Sequence, residues 1–352
     1  VLFLLALLNT LFREGLANTE HLTEFVTGLD AVAAAVADFT PEFAAAHTGI
    51  EAEVIERIAR ELAAAGSAIC YGRMGVSVTE FGALNQWLIQ VINIATGNLD
   101  KVGGSLFTTP AVDTIATSSP GGFGRHHSSV RGLPEFDREL PVATLAEEIT
   151  QAGEDRIRVL FTGAGNPVLS TPNGAQLDAA LQTLDFMVSL DPYLNETTRN
   201  ADIILPPTSP LEHDHYDIAF HLNAVRNTAR FNEAVFDKPD GAMHDWEIFS
   251  ALGQRLAALL GLDSQDAVEP AQIIDLGLQV GPYGAGNSSE HALSLEKLRA
   301  KPSGIDLGPL MPTLPERLAT PEKQIRCDTP EPLADLDRVR NHFAGEAGEQ
   351  LI

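Results

Sequence analysis

The sequence predicts an α/β fold in which parallel strands are flanked by helices, and three stretches carry that prediction. Residues 144–206 run helix, strand, turn, helix, strand, loop, strand. That is a βαβ unit extended by one strand, and a crossover helix between consecutive strands implies a parallel sheet. Residues 48–66, "TGIEAEVIERIARELAAAG", line Ile50, Val54, Ile55, Ile58 and Leu62 along one helical face and end at Gly66. "SAICYG" (67–72) then reads as a short buried strand. Third, "ALNQWLIQVINIAT" (83–96) is apolar on most sides, as an internal helix is, and stops at Gly97.

The other elements follow in order. Leu4, Leu5, Leu8, Leu11 and Phe12 keep helical spacing, with Gly15 as the stop. Thr40-Pro41-Glu42 supplies a hydroxyl cap and a proline at the first helical position. From Gly97 to about Pro141 the chain is irregular and rich in Gly, Ser, Thr and Pro. Such long structureless stretches inside a compact domain are generally functional or disordered. This one holds Arg125, His126, His127 and Arg131, the densest positive cluster of an acidic chain. Beyond it, "RIRVLFTG", "DFMVSLD" and "DIILPP" read as strands and Asp245 to Leu260 as a helix. The region past Gly281 is rich in loops and prolines.

Composition narrows the partners. Against 23 Lys and Arg stand 48 Asp and Glu, a formal net charge of −25. That balance argues against nucleic acid or an anionic membrane, which need clustered cations. The eight apolar residues before Asn9 fall short of the ~20 that span a bilayer, so no transmembrane segment is expected. Cys70 and Cys327 form no CxxC, so these residues hold no zinc ribbon or iron–sulfur cluster of their own. The chain opens inside an apolar segment without Met and closes on "GEQLI", which reads as the start of a strand. An internal fragment of a longer protein, incomplete at both ends, is the expectation.

Three stretches carry candidate chemistry. In "FTGAGNPVLSTPNGAQLDAAL" (161–181) a strand meets Gly163 and Gly165 before a helix. A glycine turn there lets main-chain N–H groups approach a pyrophosphate. Asp191 ends the next strand, near the spacing of about 20 residues typical of dinucleotide sites. Val168 stands where a third glycine belongs, and Pro167 keeps Asn166 extended. On spacing alone the turn is either structural or part of a nucleotide site. The second stretch is "HDHYDIAFH", with Glu212, His213, Asp214, His215, Asp217 and His221. It has the residue types of a Zn or Fe site without a fitting ligand spacing. The third is Arg125 with His126 and His127, suited to an anion or to proton transfer if it lines a cleft.

Longer segments then resemble a known family. "YGRMGVSVTEFGALNQWLIQVINIATGNLDKVGGSLF" (71–107), "VLFTGAGNPVLSTPNGAQLDAALQTLDFMVSLDPYLNETTRNADIILPPTSPLE" (159–212) and "GPYG…LSLEKL…PSGIDLGPLMPTLPERLATPEKQI" (281–325) resemble, in the same order, stretches of molybdopterin oxidoreductases of the dimethyl sulfoxide reductase type. That family includes formate dehydrogenase and nitrate reductase catalytic subunits. The resemblance implies Rossmann-like parallel sheets flanked by helices, the middle domains of such an enzyme. Residues 1–70 would end one dinucleotide-binding domain and 71–215 would form a second. Residues 216–325 would be a mixed region, and 326–352 a linker to a further C-terminal domain.

It also implies a bis-molybdopterin guanine dinucleotide cofactor with Mo or W. Gly163, Gly165, Asn166 and Pro167 would form a turn beside one nucleotide, Asp191 would meet its guanosine end, and Asn195, Glu196 and Thr197 would line the same cleft. Gly72, Arg73, Met74 and Gly75 would lie near the pterin, with Gly97, Asn98 and Lys101 nearby. The family's metal ligand and its 4Fe-4S cysteines would precede Val1, so no catalytic or metal-binding residue is assigned here. A small-molecule substrate and an electron-transfer subunit or domain are the implied partners. The loop "SSPGGFGRHHSSVRG" lacks the Gln- and Asn-rich pattern of many formate dehydrogenases, which leaves formate, nitrate or another substrate open. The competing readings are a metal-free scaffold subunit of a respiratory complex and an NAD-binding dehydrogenase domain.

Overall fold

The computed structural model describes residues 1–117, 122–264, 266–288 and 290–344. Two compact units make up the chain. One is Val1–Thr109 with His221–Asn227 and Leu307–Ile352; the other is Pro110–Phe220 with Thr228–Asp306.

The first unit is largely helical. Its principal helices are α1 (Leu2–Arg13), α2 (Pro41–Thr48), α3 (Ala52–Ala64) and α4 (Gly82–Ala95). Leu5, Leu8 and Leu11 of α1, Ile55 and Ala59 of α3, and Leu88 and Ile92 of α4 are fully buried in one core. Each such leucine or isoleucine contributes roughly 1.5–3 kcal/mol of transfer free energy. The capping signals act as expected: Thr40 Oγ1 accepts the Phe43 N–H at 3.2 Å, and Gly49 ends α2 at φ +70°. On the surface, Arg60 reaches Glu14 at 2.7 Å and Arg13 reaches Glu56 at 2.5 Å, tying the end of α1 to α3.

α4 buries Leu84, Leu88, Val91 and Ile92 in the core that α1 begins. One expectation changes here: "SAICYG" is not a strand. Residues 68–73 carry no regular secondary structure and have no strand beside them, and Cys70 is half-buried rather than buried.

The second unit contains the predicted α/β rhythm. A hairpin of β1 (Phe123–His127) and β2 (Pro134–Phe136) precedes α5 (Leu145–Thr150), β3 (Val159–Gly163), α6 (Pro167–Ser170), α7 (Gly174–Leu181), β4 (Phe186–Leu190), β5 (Ile203–Ile204) and α8 (Asp245–Leu260). The sheet runs β3-β4-β5, parallel throughout, in register from Val159↔Phe186 to Gly163↔Leu190. Met187 packs one face onto Ile149, Leu177 and Leu181. On the other face Val188 and Leu190 meet Ile248 of α8. The β1–β2 hairpin corrects the reading of 97–141 as structureless; Ser118 to Gly121 of that loop, and the strand expected at the chain's end, lie outside the described residues. No described helix is long and apolar enough to cross a membrane.

Candidate functional site

The predicted glycine turn stands at the end of β3. Gly163 pairs with Leu190, and the Ala164 N–H donates to Leu190 O at 3.0 Å. The left-handed residue is Ala164, at φ +49°, between the two glycines. A Cβ on Gly163 or Gly165 would meet its nearest atoms only at 3.6 and 3.8 Å, ordinary contact distances. The glycines therefore leave room above the turn rather than serving a tight packing. The N–H groups of Gly165 and Asn166 have no partner among the described residues. Pro167 opens α6 at a position where its missing N–H costs no hydrogen bond.

A second loop locks this turn. Asn166 Nδ2 donates to Glu196 Oε2 at 2.6 Å. The Thr197 hydroxyl donates to Asn166 Oδ1 at 2.7 Å and accepts the Val168 N–H at 3.0 Å. Asn195 Oδ1 accepts the N–H groups of Thr197 and Thr198 at 2.9 and 3.0 Å, fixing the loop's own turn. Asp191 accepts the Tyr193 N–H at 2.8 Å and the Asn195 amide at 3.3 Å. The structure thus brings Asn166, Pro167, Asp191, Asn195, Glu196 and Thr197 together around the strand ends. Hydrogen bonding from Asn166 is the main cause that holds the Glu196 carboxyl below the usual range. Asp191 is buried, yet these two bonds leave part of its carboxylate free, since an ionised carboxylate offers about four acceptor positions.

The first unit holds the other predicted residues. Gly72 leads through Arg73 into the short helix Met74–Ser77. Arg73, Met74 and Gly75 are exposed, and the Arg73 guanidinium has no ion-pair partner among the described residues. Gly97 is a strict glycine: at φ +64°, a Cβ would come within 2.5 Å of Asn18 O. Asn98 is 1% exposed with both ends engaged, accepting the Ala68 N–H at 3.1 Å and donating to Thr96 Oγ1 at 2.9 Å. Its side chain holds the loop. Lys101 lines a cleft of 530 Å³ with Asn18, His21 and Asp100.

Sequence reasoning missed Asp100 and Asn93. Asp100 sits at φ +53° and accepts the N–H groups of Thr313 and Leu314, the latter at 2.8 Å. Asn93, 2% exposed, accepts the Cys70 N–H at 2.8 Å and donates to Cys70 O at 2.9 Å. A buried-face asparagine in a helix that is apolar on most sides was the available signal.

The other candidates dissolve into local structure. Arg125 pairs through Nε with Glu135 at 3.0 Å, and Arg131 pairs with Glu147, so both guanidiniums of the basic loop already have carboxylate partners. Burial opposes ionisation of Glu135, but hydrogen bonds from Arg125 and Arg138 outweigh it and lower its pKa. Across 212–217 the carboxylates hold main chain: Glu212 accepts from Ser209 N–H and Asp217 from Phe220 N–H within turns, and Asp214 accepts the Ala234 N–H. Among the described residues, no three His, Cys, Asp or Glu side chains converge as metal ligands.

A strand, an open glycine turn, a helix and a strand-end aspartate in one parallel sheet define the class: an α/β protein built like the dinucleotide-binding folds. Residues 3–255 match the family model described as molybdopterin oxidoreductase, and the chain belongs to that family. It is 28% identical over 296 residues to the F420-dependent formate dehydrogenase 2 subunit alpha of Methanococcus maripaludis, covering 80% of this chain and 42% of that one. To the thiosulfate reductase molybdopterin-containing subunit of Salmonella typhimurium it is 24% identical, over 72% of this chain and 36% of that one. Acetylene hydratase from Pelobacter acetylenicus shares the fold at a TM-score of 0.62 and 14% identity, over 100% of this chain and 49% of that chain. The chain therefore spans well under half of the curated relatives named here. Membership of the family implies a molybdopterin cofactor with molybdenum or tungsten.

Proposed function

We propose that these residues belong to the cofactor-bearing subunit of a molybdopterin oxidoreductase that oxidises formate. The observation that carries this reading is the family match over residues 3–255 together with the formate dehydrogenase relative. Bound molybdenum or tungsten would supply the two-electron redox chemistry; the protein supplies placement and electrostatics. Its cofactor would be the bis-guanine-dinucleotide form, with a 4Fe-4S cluster and electron acceptor carried by polypeptide outside residues 1–352.

The residues of the second unit fit a guanine dinucleotide. The free N–H groups of Gly165 and Asn166 suit a pyrophosphate, and the space above Gly163 and Gly165 lets it approach. Asp191 has acceptor capacity left for guanine N–H or ribose hydroxyl donors. Asn166, Pro167, Asn195, Glu196 and Thr197 hold these groups in place. In the first unit, Gly72, Arg73, Met74 and Gly75 would present main chain and one free cation to the pterin. Gly97 and Asn98 would set the loop from which Lys101 meets phosphate charge. The open turn and partly free aspartate would serve NAD as well as a guanine dinucleotide; the family match supports a molybdopterin cofactor.

The full-length protein tests the reading. Metal analysis is expected to find molybdenum or tungsten, acid hydrolysis to release GMP, and formate to reduce an artificial electron acceptor. Absence of both metal and GMP would favour a metal-free scaffold and overturn the proposal. Metal and GMP without formate oxidation would move the substrate elsewhere in the family.

A further inference from the structure

We propose that Arg338 is a positioning residue for the loop 72–81. From the helix α9 (Pro330–His342) it fixes the closing end of that loop and so sets the place of Arg73 and its neighbours. The loop is almost bare. Gly72 and Val76 are half-buried, and every other residue from Arg73 to Glu80 is exposed. With so little apolar surface buried, its hydrogen bonds decide where it lies.

Three side chains anchor it. Gln86 Nε2 reaches Gly72 O at 3.5 Å and donates to Ser77 Oγ at 2.8 Å. Asn85 Nδ2 donates to Thr79 Oγ1 at 3.2 Å. Both belong to α4, which follows the loop directly. The third anchor, Arg338, lies 258 residues beyond Glu80. Its Nη2 donates to Glu80 O at 3.0 Å, and its guanidinium carbon stands 4.5 Å from the centre of the Phe81 ring. Asp335 accepts from Nε at 2.7 Å and from Nη2 at 3.2 Å, which fixes the guanidinium plane. Among the described residues, no other hydrogen bond from outside 72–86 reaches 73–80; His342 Nδ1 stands 3.5 Å from Glu80 Oε1.

Exposed ion pairs contribute little to overall stability, so the consequence of this anchor is local. The Arg–carbonyl bond and the cation over the ring act on two consecutive residues, Glu80 and Phe81, and Phe81 is buried in the core. Gly82 comes next. A Cβ there would stand 1.8 Å from Ser77 O, so the start of α4 and the Met74–Ser77 turn meet without slack. A shift at Phe81 is therefore passed to Ser77, and on to the Val76 and Ser77 N–H groups that Arg73 O accepts at 2.9 and 3.3 Å. The link from this loop to a pterin rests on the function proposed above; the hydrogen bonds themselves do not.

The other latch of α9 supplies the control. Arg340 donates to Asp38 Oδ2 at 2.7 Å and to Ala35 O at 2.6 Å, and it bonds no part of the loop. Residue-resolved hydrogen exchange on the full-length protein compares Arg338→Met, Arg338→Lys and Arg340→Met. Arg338→Met should speed the Val76, Ser77 and Val78 amides by about tenfold or more, while Ile58 and Ala59 of α3 keep their rates. Arg338→Lys keeps one donor within reach of Glu80 O and should recover most of that protection. Arg340→Met should leave the loop as it is. Unchanged loop amides in Arg338→Met would overturn the proposal, and so would a lysine variant no better than the methionine one. Equal acceleration of the loop in Arg340→Met would make docking of the whole helix the cause; acceleration of α3 as well would make it a loss of overall stability. Either overturns the proposal. The readout needs no metal or nucleotide, so a failed cofactor assignment would leave these rates as expected.

Discussion

Two stretches of this chain run into glycine loops, and they are built by opposite means. β3 lies against β4 in a parallel sheet, and its loop is clamped by residues some thirty positions later, through Asn166, Glu196 and Thr197. Among the described residues, 67–72 have no neighbouring strand; Gln86, Asn93 and Asn98, from α4 and the loop after it, satisfy part of their main chain. The first arrangement closes within its own unit. The second rests on side-chain amides in place of a strand. A strand-like sequence therefore does not say where its hydrogen bonds go, and each buried N–H and C=O needs a partner of some kind.

The sharpest way to break the comparison is through glycine. A Cβ at Gly174 would stand 1.9 Å from Val168 O, a main-chain atom that cannot swing away. Gly174→Ala should cost about 3 kcal/mol or more, read as a fall in the denaturant midpoint of the second unit. Gly165→Ala meets nothing closer than 3.8 Å and should change stability by about 0.5 kcal/mol or less. A loss in that variant of the guanine nucleotide proposed above would then report its seat and not the fold. Next in size is Asn93→Leu, which strips both hydrogen bonds from Cys70 and should cost about 2 kcal/mol or more by thermal unfolding. Little loss there would mean that water can replace the amide beside Cys70.

These residues also mark what could be read from sequence. The parallel sheet was legible because 144–206 alternates periods of helix and strand, and α8 because its start and its Gly261 stop are both explicit. The turn residues Asn166, Asp191, Asn195, Glu196 and Thr197 were legible as a motif. Their mutual bonds were not, because nothing local pairs positions thirty apart. "SAICYG" was misread because its apolar, β-prone composition is the same whether a strand or an asparagine lies beside it. Asn98 was read for its place in a family motif, whereas both ends of its amide serve the loop. Arg125 and Arg131 looked available because Glu135 and Glu147 lie ten or more residues away.

In the second unit, Thr197→Val keeps the shape of a fully buried side chain and removes its bonds to Asn166 and Val168. The expected loss is about 1–2 kcal/mol, with faster exchange of the Val168 amide. An unchanged amide would mean that the clamp is carried by Asn166 and Glu196 alone.

The smallest effect separates the two units by charge. Glu14 is held down to about 2, first by the hydrogen bond from Arg60, with Arg13 adding to it. Glu196 is lowered as well, but first by the neutral amide of Asn166. Each folded pKa lies below its unfolded value. Their stabilisation is therefore complete above the ordinary glutamate value of 4.5 and fades as pH falls through the folded value. For Glu14 that window closes near 2. Salt should then discriminate between them, since ions screen an exposed guanidinium–carboxylate pair far more than an amide–carboxylate hydrogen bond. Carboxyl-carbon NMR titrations at low salt and at about 1 M should show Glu14 moving back toward 4.5 while Glu196 barely shifts. Equal movement of both would mean that Arg199, the minor cationic influence on Glu196, governs that loop in place of Asn166.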